Sequence, residues 1–261
     1  MNLDAILEHH LLDRVLTPLF SVGGVQFAIT RHLVIMWCVA LFLLAVLTAA
    51  ARGRSRLAGL LRVGVEAVAL YLRDQVVEPL LGHEGRKHTH YFLTLFFFIL
   101  GCNLAGLIPG SGTATGNIAV TAGLSICTFC FIVLGGIRAQ GLWGFLKHFS
   151  PVPPGMNPCI GLPLGALLFV IESFGVVVKC IALTIRLFAN MIAGHIVILG
   201  FFSLIFIIGA ASQAMGLFVA APFALAMVVF VSCMEVLIGV LQAFIFTLLT
   251  AVFVGGVMHG H

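Results

Sequence analysis

The sequence predicts an all-α integral membrane protein of about five transmembrane helices, with one further amphipathic helix and a long hairpin at the C-terminal end. Three observations lead there. Hydrophobic residues make up 61% of the 261 and charged residues only 8%, whereas a soluble domain carries roughly 25% Asp, Glu, Lys and Arg. The mean hydropathy is +1.20. The apolar residues also gather into runs long enough to cross the hydrocarbon, which takes about 20 residues as a helix. This composition excludes soluble enzymes, nucleic-acid modules and disordered regulators. The 7 Cys lie mostly inside apolar runs, which argues against a secreted disulfide framework. The opening stretch from Met1 to His10 is polar and partly acidic, and reads as neither a signal peptide nor a transit peptide.

Residues 1–32 form an N-terminal segment, and 33–51 form the first span, ended by Arg52, Arg54 and Arg56. Residues 52–90 form a loop with seven basic residues (Arg52, Arg54, Arg56, Arg62, Arg73, Arg86 and Lys87). Within it, Gly64 to Leu81 mixes Glu66, Arg73, Asp74 and Glu78 with Val and Leu, the pattern of a helix lying at a membrane surface. Tyr91 to Ile137 carries no Asp, Glu, Lys or Arg, enough for two spans, 91–108 and 118–137. Pro109 and the glycines between Ile108 and Asn117 favour a turn between them. Residues 138–163 hold Pro151, Pro153, Pro154, Pro158 and Pro163 and read as a loop. Two apolar segments, 164–208 and 210–257, complete the chain as a hairpin with its tip near Gly209. Fully helical, each of the two would be about 65 Å long against ~30 Å of hydrocarbon, so they must be bent, subdivided or steeply tilted. The count therefore stands at five spans or slightly more. Lys and Arg concentrate in the loops 52–90 and 138–163, which places those loops inside, the N-terminus outside and the C-terminus inside.

Beyond Pro163 only Glu172, Lys179, Arg186 and Glu235 belong to the Asp, Glu, Lys and Arg set, with His195 a further titratable group. A charge at the bilayer centre costs about 2.5–3.5 kcal/mol on insertion scales, so each needs a reason. Glu172, Lys179 and Arg186 follow one another at intervals of seven, which aligns them on one helix face. Asn190 extends that stripe, and Ala182, Ala189 and Ala193 beside it let another backbone approach closely. His195 lies about half a turn away from Arg186 around the axis and points to a different neighbour. Glu235 and Gln242 share a face of the last segment, with Gly239 between them. In a hairpin, His195 and Glu235 lie toward the outer side in reach of a common wet pocket. Arg186 and Gln242 lie near the midplane, and Glu172 lies toward the inner side. Titratable groups thus stand on both sides of an arginine that cannot lose its proton, the layout of an interrupted proton path rather than a continuous pore.

The segment from Ile185 through Arg186-Leu-Phe-Ala-Asn190 to His195, followed by Leu241-Gln-Ala-Phe-Ile-Phe246, resembles subunit a of F-type ATP synthases. Asn103-Leu-Ala-Gly-Leu-Ile-Pro109 and His9-His10-Leu11 are similar to further landmarks of that family, and the resemblance covers essentially the whole chain. It implies a stator subunit of the membrane Fo sector, whose last two helices run inclined along the ring of c proteolipids. Its other implied partners are the peripheral-stalk subunit b, the remainder of the complex and the lipid bilayer. Arg186 matches the stator arginine, and Asn190 and Gln242 match polar residues near it. His195 and Glu235 match the interacting pair of the outer half-channel, and Glu172 the acid of the inner one. Lys179 matches a position that is basic in some bacterial members. Gly106 departs from the Asp that several bacterial members carry there. No cofactor and no metal are implied, and ATP chemistry belongs to other subunits. An energy-transducing membrane is implied, a bacterial inner membrane or that of mitochondria.

Simpler roles stand beside these. Arg186 can be a structural charge paired with Glu172 or Glu235, Lys179 can snorkel to the interface, Glu172 can sit at the interface, and Asn190 and Gln242 can bond helix to helix. An ion-coupled secondary transporter would use the same charges but calls for repeated halves, and none is visible. An intramembrane hydrolase would need HExxH or GxSxG, which are absent, as is the GxxxxGK[ST] nucleotide loop. Cys127 and Cys130 have CxxC spacing inside a span and read as small buried apolar residues.

Overall fold

The computed structural model describes residues 15–22, 25–53, 55–108, 113–148 and 158–259. His9, His10, Pro109, the prolines at 151, 153 and 154, and His261 lie outside the described residues.

The helices expected from the apolar runs are present. They are α1 (Arg31–Arg52), α2 (Arg56–Leu72), α3 (Glu78–Gly85), α4 (Thr89–Gly106), α5 (Ile118–His148), α6 (Pro158–Ala211) and α7 (Ala221–His259). Five helical stretches are long and apolar enough to cross a membrane: Arg31–Arg52, Arg86–Gly106, Ile118–Leu146, Pro163–Ala211 and Gln213–Met258. Large apolar side chains on them, such as Trp37, Leu41 and Phe42 of α1, are exposed, as side chains that face lipid must be. The protein is a multi-pass, helical membrane protein. To it is added a short antiparallel hairpin, β1 (Val15–Val22) and β2 (Val25–Thr30), in the segment 1–32 where the sequence suggested no element. The register shifts between Pro18 and Phe20, next to a residue that cannot donate to a ladder.

The chain forms two compact units. The first comprises Met1–Ala45, Phe97–Thr121 and Arg186–Ala243. Its α1–α4 contact buries Val39 against Cys102 and Ala114, flanked by Ile35, Leu43 and Phe98. A Cβ on Gly101 would lie 2.8 Å from Val39 Cγ1, so glycine sets that spacing. Asn117 caps α5, its Oδ1 accepting from the Ala119 N–H at 2.9 Å and so satisfying one of the free donors of a helix start.

The C-terminal hairpin turns at Ser212, whose backbone is extended (φ −156°, ψ 117°), three residues beyond the tip that Gly209 suggested. Gly209 stays inside α6 and has a different use. A Cβ on Gly216 would lie 2.5 Å from the Gly209 Cα, so the two glycines let the arms meet backbone to backbone. Past the turn, a π-helical stretch, Gly216–Ala220, leads into α7.

The second unit comprises Val46–Phe96, Ala122–Ile185 and Phe244–His261. Leu72, Val76, Val77 and Leu81 are buried there, one helical face of the amphipathic stretch. On the other side Arg73 Nε lies 2.6 Å from Asp74 Oδ1. That hydrogen bond holds the Asp74 carboxyl below the usual carboxylate range, so its small contribution is present above that range and fades as pH falls through the lowered value. Tyr91 stacks on Phe131 with centroids 3.9 Å apart, and Phe92 meets the same ring edge-on at 6.0 Å. Cys127 and Cys130 are exposed and unlinked on α5 rather than buried.

Residues 138–148, which the prolines beyond them suggested as loop, belong to α5, which changes direction at Gly141 (φ +74°). Few other residues adopt that backbone. Gln140, beside the break, donates from Nε2 to the Val257 carbonyl at 2.7 Å and so serves a last-turn acceptor of α7 that the helix leaves unpaired.

Candidate functional site

Glu235 projects from α7 and is buried, only 6% exposed. Its Oε1 lies 3.5 Å from His195 Nδ1 on α6, and neither carboxylate oxygen has a hydrogen-bond partner among the described residues. A buried carboxylate in that state is costly without a counter-charge or water. Room for it exists because position 194 is glycine, since a Cβ there would run into the Glu235 carboxylate.

His195 is held at both ring nitrogens. Nδ1 is 3.0 Å from the Met191 carbonyl one turn back, and Nε2 is 3.2 Å from the Gly106 carbonyl at the end of α4. Carbonyls only accept, so the ring can carry a proton on either nitrogen against a waiting acceptor.

Glu235 borders a cavity of about 210 Å³, mostly apolar in its wall, whose polar lining is Asn103, Asn190, Glu235 and Gln242. A water occupies roughly 30 Å³ in the liquid, so the cavity has space for several. Asn190 Nδ2 donates to Gln242 Oε1 at 3.1 Å across the α6–α7 hairpin. Asn103, fully buried on α4, donates from Nδ2 to the Gly239 carbonyl at 3.1 Å and accepts at Oδ1 from the Thr115 hydroxyl at 3.0 Å.

Arg186 is exposed on α6, and among the described residues its side chain takes part in no ion pair or hydrogen bond. Ala182, Ala189 and Ala193 around it are exposed too, so the face carrying the guanidinium is small and bare. In the second unit Glu172 and Lys179 are exposed, with Lys179 Nζ 5.1 Å above the Phe253 ring. Among the described residues no three His, Cys, Asp or Glu side chains gather as a metal site would need.

The family model described as ATP synthase A chain matches residues 33–255. Over 270 residues the chain is 38% identical to the ATP synthase subunit a of Chloroherpeton thalassium, covering 97% of this chain and 76% of that one. It is 39% identical over 245 residues to the ATP synthase subunit a of Myxococcus xanthus (92% and 76%), and 37% identical over 266 residues to the ATP synthase subunit a 2 of Chlorobaculum tepidum (96% and 72%). The chain belongs to the ATP synthase A chain family. The β1–β2 hairpin precedes the part matched by the family model.

Of the residues singled out from the sequence, this family member gathers Asn103, Asn190, His195, Glu235 and Gln242 in its first unit, around or beside one cavity. Arg186 belongs to the same unit but faces outward, while Glu172 and Lys179 belong to the second. Sequence reasoning missed three contributors: Gly194, Thr115 and the Gly106 carbonyl. The glycine stands directly before a titratable residue on a helix meant to pack closely, which was a readable signal. A backbone carbonyl carries no such mark.

Proposed function

We propose that the chain is the stator subunit of the Fo sector of an ATP synthase, offering two offset proton half-channels with a fixed arginine between them. The observation that carries this is the contrast within one hairpin: a buried Glu235–His195 pair beside a cavity with Asn103, Asn190 and Gln242 in its wall, and an exposed Arg186 that has no ion pair among the described residues. A proton from the outer side reaches Glu235 and His195 through water in the cavity and passes to a carboxylate on a neighbouring c-ring helix. Once neutral, that carboxyl can turn into lipid, where its ionised form would be far too costly. After nearly a full turn it releases the proton on the inner side near Glu172. Arg186 meets the ionised carboxylate between the two paths and blocks direct leakage. Their contact must stay wet, because a dry ion pair would stall rotation. One charge crossing 100 mV yields about 2.3 kcal/mol, so several crossings serve each ATP.

The chain itself carries no nucleotide loop, so ATP chemistry falls to partner subunits, with the c-ring and a peripheral-stalk subunit b as neighbours in the membrane. We place it in a bacterial inner membrane with the N-terminus outside and the C-terminus inside. The test is Arg186→Ala in the whole complex in vesicles. ATP-driven proton pumping and ATP synthesis are expected to vanish while ATP hydrolysis by the soluble part persists. Retained pumping would refute the assignment.

A further inference from the structure

We propose that the C-terminal end of α4, with Thr115 behind it, is a jig that fixes the spacing of the Glu235–His195 pair, and that Asn103 and Thr115 are positioning residues for proton transfer. This rests on the outer half-channel reading above. Three contacts converge from one short piece of chain. The Gly106 carbonyl meets His195 Nε2 at 3.2 Å and so holds the imidazole on α6. Three residues earlier, Asn103 Nδ2 donates to the Gly239 carbonyl at 3.1 Å, one helical turn beyond Glu235, and so holds α7. Because 103 and 106 are neighbours on one helix face, the two holds share a rigid mount. The partners of the pair are thereby referred to the same object as well as to each other.

The mount is itself built closely. A Cβ on Gly239 would lie 3.3 Å from the Asn103 Cβ, so the absence of a side chain at 239 is what lets the amide reach the helix backbone. A Cβ on Gly106 would run into the Thr113 side chain, so the chain after the turn is pressed against the end of α4. Two residues on, the buried Thr115 hydroxyl donates to Asn103 Oδ1 at 3.0 Å. The Gly239 carbonyl only accepts, so the amide presents its NH₂ there, since a flipped amide would set oxygen against oxygen. The Thr115 bond to the remaining amide oxygen then fixes the plane and position of that side chain. Asn103 also lines the cavity at Glu235, so a turned amide changes the wall that water meets. Around the pair the charged or titratable groups are His195 from α6 and Glu235 from α7, while α4 and Thr115 offer only neutral groups.

The experiment compares Thr115→Val, Thr115→Ser and Glu235→Gln in the intact complex in vesicles. ATP-driven proton flux is read per assembled complex across a pH series. Thr115→Val keeps shape and removes the hydroxyl. It is expected to lower flux about three- to tenfold, the worth of one buried hydrogen bond, and to displace the pH profile, while Thr115→Ser restores most of the flux and the profile. If Glu235→Gln abolishes flux but Thr115→Val keeps the parental flux and profile, the jig is refuted and the half-channel stands. If Thr115→Val lowers only the amount of assembled complex, with flux per complex unchanged, the positioning role is likewise refuted. If Glu235→Gln itself leaves flux untouched, the half-channel reading fails and the jig with it.

Discussion

A single absent methyl group decides how Glu235 is held. Its carboxylate lies where the Cβ of residue 194 would be, so Gly194→Ala must push the acid away from His195 and into the cavity. A displacement of about 1 Å can cost on the order of a hundredfold in a proton-transfer geometry. Gly194→Ala is therefore expected to cut proton flux per complex by on the order of tenfold or more, read by fluorescence quenching in vesicles; unchanged flux would show that the 3.5 Å spacing is not functional. The pair also permits an exchange test. His195→Glu combined with Glu235→His keeps one acid and one imidazole at the same two positions, and it is expected to translocate more protons than either single change. A double variant no better than the worse single one would show that the two groups act apart. At this scale the sequence was informative where a residue was chemically out of place. Glu235, His195 and Arg186 stood out because charge in an apolar run has to be explained. Thr115 and the Gly106 carbonyl did not, because a threonine between two spans and a backbone oxygen are ordinary and only contact gives them meaning.

Helices were legible in the sequence to the extent that hydrophobic runs mark them, and their ends were not. The five spans coincide with the charge-poor runs, because about 20 apolar residues have few alternatives to a spanning helix. The boundaries went astray where breaking residues failed to break. Pro163 sits in the second turn of α6, where it removes one backbone hydrogen bond without ending the helix, and Gly141 redirects α5 without ending it. Gly209 suggested a turn for the opposite reason, since its lack of a side chain serves close packing against Gly216 rather than a bend. Gly216→Ala should therefore strain two backbones at once. A loss of about 1–3 kcal/mol is expected, seen as a lower thermal midpoint of the assembled complex, whereas Gly59→Ala, with nothing near its Cβ, should be silent. Equal midpoints for both variants would count against the backbone contact. The β1–β2 hairpin escaped notice because Thr and Pro among short apolar stretches gave no steady alternation over the segment.

For the whole molecule, the proposed mechanism requires that no single aqueous route joins the two sides. Helix α6 has 54 residues, and a straight helix of that length spans roughly 80 Å against ~30 Å of hydrocarbon. So long a helix has to be bent or steeply inclined in the bilayer. In a background with the 7 native Cys replaced, Glu172→Cys should react with an impermeant thiol reagent from the side bearing the soluble part, and Glu235→Cys from the opposite side. Reaction of both from one side would mean a shared vestibule and would defeat the two-path scheme. What composition alone could supply was the class of protein and the existence of buried charge. The division into a buried pair and an exposed guanidinium needed the fold, because it depends on which faces the hairpin closes and which it leaves open.

The decisive measurement is the structure of this subunit within the intact complex, at a resolution that places the Arg186 guanidinium against the neighbouring ring. The predicted result is a ring carboxylate within direct or one-water reach of it, about 3–5 Å, with the Glu235–His195 pair set apart on the outer side. A guanidinium paired with Glu172 or Glu235 of its own chain, and no ring carboxylate near it, would contradict the mechanism.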